Sequence, residues 1–389
     1  MISFENTQNA FEYKSDRDLK KAYILFKTLS SNLMVRVGKN MTNLALSIHF
    51  PIKWIVKPTI YSHFVGGELL EDCLAVVEKL GKYNVKAILD YSVEGETTEE
   101  NIQKTLDETI KSIKYAKNNS NIPFAVFKPS AFASENILEI ASSDKKLSDN
   151  EKVEANKFKL KIELLCKTAF ENDIPILVDA EDFAFQKYID EVVLEMMKKF
   201  NKQKAIVFNT LQMYRHDRLD FLKTSLEIAK KENFIFGAKF VRGAYMEKER
   251  ERADNLGYTS PIQLNKENTD NDFNEALRIS VENLDKVHIF CGTHNEKSCI
   301  HLSELMEKYG ISKNDTRIYF AQLYGMSDHI SFNLAKEGYN VAKYIPYGPM
   351  KFVMPYLIRR AEENTSVSGQ TGRELKLLTT EMNRRKDKK

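Results

Sequence analysis

Arg359 and Arg360 stand side by side in the segment PMKFVMPYLIRRAEEN, residues 349–364. Adjacent guanidiniums offer a fork of donors that matches a carboxylate or a phosphate. Pro349 suits the first turn of a helix, Pro355 removes one early backbone donor, and YLIRRAEEN continues helically. Helical spacing then groups Tyr356, Arg360, Glu363 and Asn364 on one side, with Arg359 about 100° round the axis. A solvated face of a surface helix would carry the same residues. Lys128 follows the apolar run FAVF and precedes PSA, which sets an ammonium at the top of a buried strand. There it can pair with Asp90 or Asp179, bind a carboxylate, or act as a desolvated Schiff-base nucleophile. Asp179 ends the run PILVD and can orient that lysine or an arginine. In GAKFVRGAYMEKER, Gly243 and Ala244 follow a strand, where small residues let the backbone approach a planar ligand. His294 in CGTHN has no HxxxH or HExxH spacing beside it, so it reads as a hydrogen-bond donor or a structural residue and no metal is expected.

These residues need elements to position them. From about residue 83, short β-rich apolar runs alternate with longer segments of helical period, the pattern of parallel strands joined by crossover helices. Strands are predicted at Lys86–Tyr91, Pro123–Lys128, Pro175–Asp179, Ala205–Asn209, Phe236–Arg242, Val287–Thr293, Arg317–Gln322 and Asn340–Ile345. Eight such units in one run predict an α/β fold of the (β/α)8 TIM-barrel type over residues 81–365. An N-terminal helical arm precedes it over residues 1–80, and a charged tail follows over 366–389. Active sites of such barrels form where the strands end. Those ends offer Asp90, Lys128, Asp179 with Glu181, Asn209 with Gln212, Arg242 with Tyr245, Thr293 with His294, Gln322 and Tyr344. Ionisable groups of both signs gathered in one buried place need pairing or a ligand.

Composition narrows the function further. Hydrophobic content of 42% with 29% charged residues is that of a globular enzyme, and a formal charge of +3 spread among matching acids leaves no nucleic-acid footprint. Cys73, Cys166, Cys291 and Cys299 form no CxxC pair and are too few for a disulfide scaffold. The charged N-terminus lacks a signal-peptide run, and the apolar stretch Leu44 to Val65 is broken by Pro51, Lys53, Lys57 and Pro58, so a cytoplasmic protein without a membrane span is expected. No GxGxxG follows a strand, which argues against a Rossmann domain.

The motifs YSHFVGGE from Tyr61, VDAE, FVRGAY and YLIRRAEEN, in this order and separation, resemble the proline dehydrogenase family from about Tyr61 to Asn364. The resemblance implies a distorted (β/α)8 barrel that holds FAD non-covalently without a Rossmann domain. It also implies the first step of proline catabolism to glutamate: hydride transfer from L-proline to flavin N5, giving Δ1-pyrroline-5-carboxylate, with electrons passed to a quinone. Peripheral contact at the inner face of a membrane would follow. Residue by residue, Arg359 and Arg360 match the pair that grips the substrate carboxylate, with Lys128 assisting and Asp179 beside them. Ala244, Tyr245, Leu323, Tyr344 and Tyr356 match the walls of the proline ring. Asn209, Lys239, Val241, Gly243, Thr293, His294 and Glu363 match positions that contact FAD or its surroundings. Asn209 and Lys239 depart from the glutamine and arginine found at those positions in many bacterial members, and FNT with GAKFVRGAYM resembles the monofunctional branch. The bulk of Tyr344 implies preference for proline over trans-4-hydroxyproline. Two other readings compete: a Schiff-base aldolase using Lys128, with the arginines as a phosphate clamp, and a proline-binding sensor without flavin chemistry.

Overall fold

The computed structural model describes residues 2–31, 56–92, 98–366 and 370–388, with all their side chains except those of 362–366 and 370. Among the described residues eight strands form: β1 (Val85–Tyr91), β2 (Ala125–Phe127), β3 (Ile176–Val178), β4 (Val207–Gln212), β5 (Phe236–Val241), β6 (Val287–Gly292), β7 (Ile318–Leu323) and β8 (Val341–Tyr347). They make one sheet in the order β1-β8-β7-β6-β5-β4-β3-β2, with parallel pairing, the order of the expected (β/α)8 TIM-type barrel. Every predicted strand is present. The largest difference in extent is in β4, which starts at Val207 and runs on to Gln212.

Among the described residues the helices of five residues or more in α conformation are α1 (Thr7–Phe11), α2 (Asp16–Leu29), α3 (Leu74–Gly81), α4 (Glu99–Lys117), α5 (Glu135–Ser142), α6 (Asp149–Asn172) and α7 (Phe183–Phe200). They continue with α8 (Arg218–Glu232), α9 (Met246–Leu256), α10 (Lys266–Glu282), α11 (Glu296–Lys308), α12 (Asp328–Lys336), α13 (Met350–Ser366) and α14 (Gln370–Lys386). Local chemistry sets several starts. Ser15 with Asp18, and Ser148 with Glu151, close capping boxes on α2 and α6, satisfying amide donors that the first helical turn leaves open. Among the described residues no helix is long and apolar enough to cross a membrane, and the apolar stretch from Leu44 lies outside them up to residue 55.

The chain divides into two compact units, residues 96–321 and residues 2–95 with 322–389. In the first, Phe124, just before β2, meets Phe208 of β4, Phe290 of β6 and Tyr319 of β7 edge to face, on strands that do not pair with β2. Phe208 therefore points to the interior of the sheet's curve, and alternation puts Thr210 and Gln212 on the same side and Asn209 on the other. Asn201 anchors this register. Its Nδ2 donates to the carbonyls of Val207 and Ile235, and its Oδ1 accepts from the amides of Ile206 and Val207, all at 2.8–2.9 Å. In the second unit the C-terminal α14 buries Leu377 and Leu378 against Ala10, Phe11, Leu19, Ala22 and Phe26 of α1 and α2. A second core joins Leu29, Tyr61, Phe64 and Met326 to Val353, Met354 and Leu357 of α13, so that helix is packed rather than solvated.

Candidate active site

The unit of residues 96–321 places Lys128 directly after β2, Asp179 directly after β3 and Lys239 within β5. Parallel pairing of β3, β4 and β5 brings the last two together. Lys239 Nζ donates to Asp179 Oδ1 at 2.5 Å, and Lys128 Nζ lies 3.7 Å from Asp179 Oδ2. The Lys239 side chain is 7% exposed and that of Asp179 15%. One carboxylate between two ammoniums satisfies the demand of buried charge for opposite charge and leaves this trio with positive character.

Glu181, two residues on, is buried and accepts from Ser130 through its amide at 3.0 Å and its hydroxyl at 2.7 Å. Burial outweighs those two donors and pushes its carboxyl up to about 7. In the sequence Glu181 stands out only as a polar residue near a strand end, and its place three residues after the buried β3 is the signal it carries. From it runs a chain of polar contacts. Gln186 Oε1 accepts from the Glu181 amide at 2.7 Å, Gln186 Nε2 donates to Asp190 Oδ1 at 2.9 Å, and Asp190 Oδ2 accepts from Arg218 at 2.6 Å.

Asn209 belongs to this last network and not to the lysine cluster. Its Nδ2 donates to Asp190 Oδ1 at 2.9 Å, on α7, so its amide faces the helix layer. The family resemblance sets Asn209 among the flavin contacts, at a position where many members have glutamine; here β4 continues past it to Gln212, which shares the inward side with Phe208.

After β5, Gly243 has φ +120°, and a Cβ there would lie 2.5 Å from the Tyr214 ring, so the position requires glycine. Ala244 is exposed and Tyr245 half-buried beyond it. Val241 closes β5. Arg242 donates through Nη1 to Thr293 Oγ1 at 2.7 Å and through Nε to Asp270 at 2.7 Å, while its guanidinium lies 4.4 Å from the Phe273 ring centre. This fixes Thr293 just beyond β6, with half-buried His294 next to it.

The unit of residues 2–95 and 322–389 holds the remaining candidates. Leu323 is the last residue of β7, Tyr344 lies buried in β8, and Tyr356 and Arg360 are buried on α13. The Arg360 guanidinium sits 5.2 Å from the Tyr356 ring centre, the i, i+4 pairing expected from the spacing. Arg359, one residue before, is half-buried. The Glu363 side chain lies outside the described residues.

Comparison with known proteins adds the family. A family profile described as proline dehydrogenase matches residues 73–373. The chain is 34% identical over 326 residues to the carbapenem antibiotics biosynthesis protein CarD of Pectobacterium carotovorum subsp. carotovorum, covering 84% of each. It is 43% identical over 235 residues to the mitochondrial proline dehydrogenase 1 of Drosophila melanogaster, covering 58% of this chain and 34% of that one. With the human mitochondrial proline dehydrogenase 1 it shares 40% identity over 62% of this chain, which spans only 40% of that protein. Among solved structures, proline utilization A from Bdellovibrio bacteriovorus, inactivated by N-propargylglycine, superposes with a TM-score of 0.75 at 21% identity, covering 95% of this chain and 40% of that one. That likeness speaks for the fold. The profile, which takes in most of the sequence, and the relatives at 40% and 43% identity agree, and this chain belongs to the proline dehydrogenase family.

Proposed function

We propose that the protein is an FAD-dependent oxidoreductase that converts L-proline to Δ1-pyrroline-5-carboxylate, the first step of proline breakdown to glutamate, and hands the electrons to a quinone. The observation that carries this reading is the cluster of buried Lys239 with half-buried Asp179 and Lys128 beside strands β2, β3 and β5, in a chain of this family. In this reading Arg359, Arg360 and Lys128 bind the substrate carboxylate, and Asp179 orients both lysines. Ala244, Tyr245, Leu323, Tyr344 and Tyr356 wall the ring. Excluding water there strengthens each charge contact and holds the ring in one orientation. The proline nitrogen must shed its ammonium proton before its lone pair can assist, so turnover rises with pH.

The donor chemistry fits a flavin. Lys239 supplies a buried cation suited to a ring system that gains negative charge on reduction, Gly243 supplies backbone free of a side chain, and Gln212 supplies an amide on the inward side of β4. Lys239, Val241, Gly243, Thr293, His294 and Glu363 would hold it, with Gln212 in place of Asn209. FAD, when bound, supplies the acceptor for the hydride that leaves the ring carbon beside the nitrogen. Quinone reduction brings the protein to a membrane surface as a peripheral partner at the cytoplasmic face. The division into an arm over 1–80, a barrel over 81–365 and a tail over 366–389 belongs to the same proposal.

The likeness to CarD bears on where the product goes: it favours a second reading in which the same oxidation feeds biosynthesis. Growth on proline as sole nitrogen source, lost on deletion, decides for catabolism. The reaction itself is tested by incubating the protein with L-proline and an artificial acceptor and detecting pyrroline-5-carboxylate as its o-aminobenzaldehyde adduct. A folded protein that forms no adduct, and whose Lys128 is instead trapped by borohydride on a carbonyl substrate, would overturn the proposal in favour of an aldolase.

A further inference from the structure

The loop from β7 to α12, residues 324–327, adopts a shape that its own residues resist. Gly325 has φ +81° and Ser327 φ +51°, and a Cβ on Gly325 would lie 2.4 Å from the carbonyl oxygen of His63. A serine in the left-handed region is held there by its surroundings. Those surroundings are explicit. His63 Nε2 donates to the Gly325 carbonyl at 2.8 Å, the Tyr324 amide donates to the Tyr344 carbonyl at 2.9 Å, and the Ser327 amide donates to Glu374 Oε1 of α14 at 2.6 Å. Lys343 Nζ, on β8, donates to the Met326 carbonyl at 2.5 Å and lies 2.9 Å from Asp328 Oδ1. Asp328 Oδ2 in turn accepts from Tyr13 at 2.7 Å and from Lys14 at 2.9 Å, in the turn between α1 and α2.

The side chains of Lys343, Asp328 and Lys14 are 0%, 4% and 9% exposed. Desolvating three charges offsets most of what their attraction returns, so stability alone is a weak reason for such a cluster. Its geometry suggests another. Lys343 immediately precedes Tyr344, and Leu323 immediately precedes the loop. A shift of the Lys343 ammonium is therefore passed along one residue of backbone to Tyr344, and a shift of Met326 reaches Leu323, whose carbonyl accepts from the Met326 amide at 3.2 Å.

We propose that the buried Lys14–Asp328–Lys343 cluster, with Tyr13 and Glu374, is a positioning device that fixes Leu323 and Tyr344 and so makes the two ends of the chain part of substrate discrimination. This rests on the reading that those two residues wall the proline ring. The test is anaerobic stopped-flow reduction of the enzyme-bound flavin by L-proline and by trans-4-hydroxy-L-proline, in the wild type and in Lys14→Met, Lys14→Arg and Tyr13→Phe. Lys14→Met keeps the limiting rate with L-proline within about twofold, weakens apparent proline binding about tenfold, and narrows the preference over hydroxyproline about tenfold. Lys14→Arg restores both, and Tyr13→Phe, which removes one hydroxyl, moves both in the same direction and keeps the test open if Lys14→Met does not fold. A variant that melts earlier with unchanged affinity and preference overturns the inference and leaves the function standing. A wild-type flavin that proline does not reduce overturns the function, and this inference with it.

Discussion

Replacing Glu181 with glutamine should flatten the pH dependence of stability between about pH 4.5 and 7. The carboxyl is buried, and its desolvation moves it from its ordinary 4.5 up to about 7. A carboxyl whose pKa rises on folding holds its proton more tightly in the native state than in the unfolded one. Its contribution is therefore fully present below the unfolded value, is lost as pH climbs from 4.5 towards 7, and changes no further above that. A displacement of that size corresponds to roughly 3 kcal/mol across the window. In Glu181→Gln the two hydrogen bonds from Ser130 persist, because the amide oxygen can accept both, while the titrating proton is gone. Urea unfolding followed by tryptophan-independent circular dichroism at half-unit pH steps is the assay. The wild-type midpoint falls relative to that of the variant as pH rises, so the variant is the more stable of the two at pH 7.5 and has lost that advantage at pH 4.5. Parallel profiles would refute the reasoning and show that Glu181 is ionised in the native state at little cost.

Arg360→Met removes a buried guanidinium from above Tyr356 and should raise the KM for L-proline roughly 100-fold, with the protein still folded by circular dichroism. Gly243→Ala forces a side chain into a φ of +120° against the Tyr214 ring. It should cost about 1–3 kcal/mol in urea unfolding and weaken flavin retention on gel filtration. Asn201→Ala strands four backbone groups at the start of β4 and β5 and should lower unfolding stability by roughly 3–5 kcal/mol without altering substrate preference. Tyr344→Ser opens space beside the ring and should narrow the kcat/KM preference for proline over trans-4-hydroxyproline; an unchanged preference would remove Tyr344 from the pocket wall.

The strands were legible because each is a short apolar run between segments of helical period, and the sheet then follows from counting them. The Arg360–Tyr356 pairing was legible for the same reason: it is a relation within one helix turn. The side that Asn209 takes was not legible, because nothing local distinguishes the two faces of VFNTLQ. The inward direction of Phe208 is decided by Phe124, more than eighty positions earlier in the chain. Pairings of that kind have no local signature. The Lys14–Asp328–Lys343 cluster joins both ends of the sequence, yet half of it was visible: a lysine inside the strand run VAKYIPY needs a buried partner. The tail after 366 was read as charged surface because arginines and lysines dominate its last turn, whereas Leu377 and Leu378 carry its packing. Asp179 was expected beside Lys128, and the structure gives its closer contact to Lys239 instead.

The most direct test of the central claim is the visible spectrum of the purified protein under anaerobic conditions, recorded before and after L-proline is added. Flavin bands that bleach with proline, and do so more slowly at low pH, are the result expected. Flavin bands that persist in the presence of proline, or a folded protein that stays colourless after incubation with FAD, would contradict the account.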